Sequence, residues 1–227
     1  MKLLALDTTE SACSAALLID GHATQRFRDE PRAHGRLILG MIDALLAEAG
    51  LDPSRLDAIA FARGPGSFTG LRIAAGVTQG IAFGADLPVY PVSSLRALAQ
   101  GVHRERGASR VFAALDARMH EIYCGAFGLE DGVMQALDDE RVIRPDRLCI
   151  DTAATTGWVG AGSGWRAYSD VMVKHFAIVE QFPDARCHAI DAGLCALADQ
   201  RNGITPLPAE QALPIYLRDR VATPSRS

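Results

Sequence analysis

Gly64-Pro65-Gly66-Ser67-Phe68-Thr69-Gly70-Leu71-Arg72 is the stretch of this sequence best suited to chemistry. It follows a short apolar run and opens one with helical spacing. Backbone N–H groups at a helix start, bared by glycine, form an anion site. Yet the stretch matches neither common nucleotide loop. It lacks the lysine of G-x-x-x-x-G-K-[ST], and it has one residue too many for G-x-G-x-x-G. Two readings stay open: a phosphate loop built from Gly64, Gly66, Ser67, Thr69, Gly70 and Arg72, or a tight turn capped by Ser67 or Thr69. Asp7, Thr8 and Thr9, at the end of the first apolar run, could hold a phosphate or a metal-bound water. Gly160-Ala161-Gly162-Ser163-Gly164 could approach an adenosine or simply turn a strand into a helix.

Catalytic and metal constellations are sparse. His22, His34, His103, His120, His175 and His188 include no i, i+4 pair, so no helical metal pair is expected. Cys13, Cys124, Cys149, Cys187 and Cys195 are odd in number and form no C-x-x-C, which speaks against a disulfide framework or a zinc ribbon. Buried free thiols are the expectation. There is no G-x-S-x-G elbow. Asp116, Arg118, His120 and Glu121 cluster, and read as a solvated turn. No catalytic residue and no metal ligand is expected.

The elements that must position these residues follow from patterning. Apolar runs at 3–7 and 12–19, a turn at Asp20-Gly21 and a third strand at 23–29 predict a three-stranded meander. Helical spacing runs from His34 to Ala49, with Gly50 as its stop. A buried strand at 57–62, a helix at 71–83, a short strand at 88–91 and a helix at 93–103 follow. Then the order restarts: Ala5-Leu6-Asp7 recurs as Ala114-Leu115-Asp116 in a strand at 110–116. A strand at 121–127, a turn at Asp131-Gly132, a helix near 145–150 and a strand into Gly160 come next. The reading is two similar βββαβα halves: an N-terminal lobe at 1–105, a second lobe at 106–218, and a tail at 219–227.

Composition bounds the rest. The 227 residues are 48% hydrophobic, enough for a core. Lys+Arg 23 against Asp+Glu 27 gives a net charge of −4, so the chain alone has no strong grip on nucleic acid. The apolar stretch 71–89 is broken by Arg72, Gln79 and Asp86 and is no membrane span. Asp7 and Glu10 come too early for a signal peptide, so a cytoplasmic protein is expected.

Two helices suggest a partner. Gly76, Gly80 and Gly84 line one face of the second, the steric logic of close helix approach. The first has a wide apolar face of Leu37, Ile38, Met41, Ile42 and Leu45. Packed side by side, the two are expected to expose these residues, with His34, as a self-complementary surface. A homodimer would then form when the chain is alone.

Three stretches carry a family resemblance. Leu4-Ala5-Leu6-Asp7-Thr8-Thr9, the motif from Gly64 to Arg72, and Pro214-Ile215-Tyr216-Leu217-Arg218 resemble the bacterial TsaB (YeaZ) family over nearly the whole chain. The resemblance implies an α/β fold of duplicated ribonuclease-H-like halves in two lobes, as in actin, sugar kinases and Hsp70 ATPase domains. It implies a role in making threonylcarbamoyl-adenosine (t6A) at position 37 of tRNAs that read codons beginning with A. It further implies a paralogous catalytic partner, TsaD, joined by the small ATPase TsaE, with tRNA met only through the complex. The catalytic paralog carries a metal-binding H-x-x-x-H on its first main helix; here His34 is followed four residues on by Ile38. One ligand does not hold a catalytic metal, so the resemblance implies a non-catalytic subunit that binds and activates TsaD. Thr8-Thr9 also lacks the glycine of the fold's usual D-x-G-[ST]. No cofactor is therefore expected on the chain alone, and nucleotide only in the complex. The alternative is a stand-alone ATPase or peptidase of the same fold.

Overall fold

A computed structural model describes residues 1–148, 157–175 and 178–218. Strands β1 (Lys2–Asp7) and β2 (Ala12–Ile19) are almost wholly buried, as continuous apolar runs covered on both faces should be. Asp20 and Gly21 turn β2 into β3 (His22–Asp29), both with positive φ, the signature of the tight hairpin turn their types favour. Helix α1 (His34–Ala49) stops at Gly50 in the left-handed conformation. Strand β4 (Ala58–Gly64), helix α2 (Phe68–Ala85) and strand β5 (Val89–Ser93) complete a sheet of order β3-β2-β1-β4-β5. Strands β1 to β3 pair antiparallel, and β1, β4 and β5 pair parallel.

Helix α3 (Ser94–Arg106) leads to β6 (Arg110–Arg118), β7 (Glu121–Glu130), β8 (Val133–Ala136), β9 (Arg141–Ile143), β10 (Trp158–Ala161) and β11 (Ile178–Phe182). The second sheet has the order β11-β10-β6-β7-β8, with β9 also paired to β7. Numbered within each half, with β9 set aside, both sheets read 3-2-1-4-5. This is the duplicated ribonuclease-H-like fold in two lobes. The helix expected near 145–150 is a single 3-10 turn at Pro145–Arg147, with Leu148 already outside it; 149–150 lie outside the described residues.

By packing, the halves exchange helices. α3 closes the first half in sequence, yet its Leu95, Leu98, Ala99 and Val102 pack on Val111, Ala113, Leu115 and Phe127 of the second sheet. Helix α5 (Ala189–Arg201) closes the second half and packs Ala189, Ala192, Cys195 and Ala196 on Leu3, Ala5, Ala16 and Leu18 of the first. Two ion pairs, each at 2.8 Å, join α3 to α5: Arg96–Asp199, with both side chains largely buried, and Arg104–Asp191, with only the carboxylate buried. α1 and α2 cover the far face of the first sheet. Helix α4 (Ser163–Met172) covers that of the second, with Trp165 edge-on to Phe112.

The apolar face of α1 is not exposed, contrary to the expectation from its width. Ile38, Met41, Ile42 and Leu45 are buried against Leu4, Leu6, Ile59 and Phe61, and Leu37 is half-buried beside them. A sheet of large side chains accepts a broader stripe than a helix partner would, so width alone was no sign of a second protein. Gly76 and Gly80 do face open space.

Candidate functional site

A cleft of about 1110 Å³ lies between the lobes. Its floor is the end of β1 and the turn after it. Asp7 Oδ1 accepts from Thr9 N (3.1 Å) and Thr9 Oγ1 (2.6 Å). The other carboxylate oxygen has no N–H or O–H partner, and the Cys187 thiol packs against the group. Burial raises the Asp7 pKa to about 6 despite the two bonds from Thr9. Glu10, three residues on, reaches across to the second lobe. Its Oε2 accepts from Cys187 N (3.3 Å) and its Oε1 from Ser163 Oγ (3.4 Å), which itself accepts from Asp116 N. Burial, followed by the Asp7 charge, raises Glu10 to about 7. The same burial pushes the Cys187 thiol far up and keeps it protonated.

The two sequence-predicted loops meet each other. Thr8 Oγ1 donates to Gly70 O (2.7 Å), and Ser67 N donates to Thr9 O (2.7 Å). A Cβ on Gly66 would overlap the Thr9 carbonyl, and one on Gly70 would overlap the Thr8 carbonyl. These glycines let the α2 loop lie directly on the β1 turn, so their necessity is accounted for by packing. Ser67 caps α2 at Gly70 N (3.5 Å). Thr69, Gly66 and Thr9 line the cleft; Asp7 and Thr8 sit beneath it. Gly64 and Arg72 are not brought in. Gly64 backs onto the C-terminal segment, where a Cβ would lie 2.8 Å from the Ile215 carbonyl. Arg72 stacks its guanidinium over Phe68 (3.7 Å) and bonds Tyr216 Oη (3.3 Å), outside the cleft. The Gly160–Gly164 turn is filled from within: Trp165 would lie 2.5 Å from a Cβ at Gly160, and Leu98 2.8 Å from one at Gly162.

The Asp116 cluster forms the hairpin at the cleft's far wall. Arg118, Met119 and His120 all have positive φ. Arg218 spans to it from the end of the C-terminal segment, bonding Glu121 at 2.6 Å. His34 lies in the cleft wall at the start of α1, buried rather than on an outer face, with Nε2 unpartnered. Among the described residues no three His, Cys, Asp or Glu side chains are grouped to hold a metal. Sequence reasoning missed Glu10, Arg186 and Arg218 as cleft residues. Each comes from a turn or an irregular connection, where no periodicity announces direction.

A family model described as TsaD, tRNA N6-adenosine threonylcarbamoyltransferase, matches residues 28–202. The tRNA threonylcarbamoyladenosine biosynthesis protein TsaB of Escherichia coli is 38% identical, across 98% of this chain and 96% of the relative. The chain belongs to the TsaB family. Its counterpart from Haemophilus influenzae is 39% identical, covering 97% of this chain and 95% of that protein. The solved structure of YeaZ from Pseudomonas aeruginosa is 45% identical and superimposes with a TM-score of 0.89, over 95% of this chain and 99% of that one. Within this TsaB-family motif, Gly66 and Gly70 let the start of α2 pack on the turn after β1. No described helix is long and apolar enough to cross a membrane.

Proposed function

We propose that the chain is the non-catalytic partner subunit in t6A formation at position 37 of tRNAs reading codons that begin with A, and that it binds and activates the transferase TsaD in the cytoplasm. The carrying observation is at α1. The TsaD family model matches residues 28–202, yet Ile38, four residues after His34 where a second metal-binding histidine would stand, is fully buried in the apolar core. The β1 and α2 loops lie on one another, which supports the absence of independent ATP turnover. TsaE joins the complex, and tRNA is met there.

The partner surface is the outer side of α1 and α2. Leu39 on α1 is 53% exposed, and Phe83 is 82% exposed on α2, the helix that carries the open Gly76, Gly80 and Gly84. Bare glycines admit another helix closely, and two large apolar side chains supply contact area. A second copy meeting the same face gives a two-fold homodimer that competes with the TsaD complex. Depletion of the chain in its host should remove t6A from digested tRNA, and tagged chain should co-purify TsaD. Leu39→Asp and Phe83→Asp should abolish co-purification and the homodimer with the thermal melt unchanged. Intact t6A after depletion would overturn the reading; intact complexes in both variants would move the interface elsewhere.

A further inference from the structure

We propose that the cleft mouth, between the starts of α1 and α2, is a metal-independent site for a compact phosphate-type oxyanion, inorganic phosphate or pyrophosphate. Two long helices begin there. Ala33, the residue before α1, offers no capping side chain, and the Ser67 hydroxyl serves only Gly70 N. The first N–H groups of each helix have no acceptor within it, and His34 and the residues from Ser67 to Thr69 line the same cleft.

A second observation concerns a side chain rather than the backbone N–H groups. His34 is 8% exposed, and its Nε2 has no hydrogen-bond partner. A buried ring nitrogen without a partner is costly, and an oxyanion in the cleft would supply the acceptor. Charge points the same way. Arg32, Arg118, Arg166, Arg186 and Arg218 line the cleft against two carboxylates, Glu10 and Asp116. Four of these arginines pair with Asp116, Asp184, Asp29 and Glu121. Arg32, two residues before His34, is exposed and has no ion pair among the described residues. Glu10 is held largely protonated below neutral pH by burial, so it opposes an anion least in acid. The donors are N–H groups and cations, so no bridging metal is required. A nucleoside has no slot, because Trp165 and Leu98 fill the Gly160–Gly164 turn and the two glycine loops close on each other.

The test is calorimetry on the full chain with pyrophosphate, phosphate, sulfate and ATP, each with EDTA and with magnesium. Pyrophosphate should bind saturably in EDTA, with ATP no tighter. Arg32→Asn, a residue type that tolerates the left-handed φ of +65 found there, should weaken pyrophosphate at least tenfold without changing the melt. His34→Phe should do the same wherever its melt matches the parent's. Sulfate keeps its charge near neutrality, so its affinity should rise as pH falls from about 8 to about 6, while Glu10 and then the neighbouring Asp7 take up protons. Three results overturn the site: no saturation by about 10 mM pyrophosphate, unchanged affinity in Arg32→Asn, or magnesium-dependent ATP binding tenfold tighter than pyrophosphate.

Discussion

Replacing Glu10 by glutamine should stabilise the protein above neutral pH and do nothing in acid. The carboxyl sits between the lobes with a pKa raised from 4.5 to about 7, mainly by burial. The folded state therefore holds a proton that the unfolded state has released between those values. Stability from this group is present below about pH 4.5 and falls as pH rises through about 7. A shift of about 2.5 units at about 1.4 kcal/mol each makes the ionised form cost about 3 kcal/mol. Glutamine keeps a carbonyl oxygen for Cys187 N and an amide that can donate to Ser163 Oγ, without the charge. At pH 8 the variant should melt about 6–12 °C above the parent, at about 2–4 °C per kcal/mol for a chain this size. Near pH 4.5 the two curves should converge. Calorimetric melts of both proteins across this range supply the comparison. A variant less stable than the parent at pH 8, or a gap that does not change with pH, would refute the burial argument.

Gly70→Ala should abolish soluble expression, since its Cβ would overlap the Thr8 carbonyl, whereas Gly76→Ala, with open space around it, should raise stability by up to about 1 kcal/mol while weakening TsaD co-purification. Arg104→Ala leaves the fully buried Asp191 carboxylate without its charge partner and should cost about 3–5 kcal/mol in denaturant titration. Ile38→Glu should unfold the monomer, readable as loss of the near-ultraviolet circular dichroism signal, because the residue faces the sheet.

The halves were legible because their strands are short apolar runs with strong turn residues between them. α1 is found at His34–Ala49, the span its periodicity and Gly50 predict, and β2 at Ala12–Ile19 likewise. α2 begins three residues earlier than its apolar spacing, at Phe68, because Ser67 caps it. β11 and α5 were not assigned from the sequence. β11 is a half-exposed edge strand, and α5 is so rich in alanine that no stripe stands out from its background. The direction of α1 could not be read either: Ile38 and Met41 look alike whether a sheet or a partner covers them. At the site, the glycine pattern marked a close approach to the backbone and left two causes open, an anion or a tight turn. Spacing shows that something approaches the backbone closely; only the fold shows that it is the Thr8-Thr9 turn.

The reciprocal placement of α3 and α5 makes the repeat indivisible. Cut at Gly107, the first fragment would carry a helix shaped for the other's sheet and leave its own inner face of Leu3, Ala5, Ala16 and Leu18 bare. Neither fragment is a domain in the sense of owning its core, although each has a complete set of strands. The two pieces should instead fold only on meeting, each supplying the other's missing wall. An ancestral single half with this wiring could have been stable only as a pair of copies trading their last helices, so the present chain has the build of such a pair joined end to end.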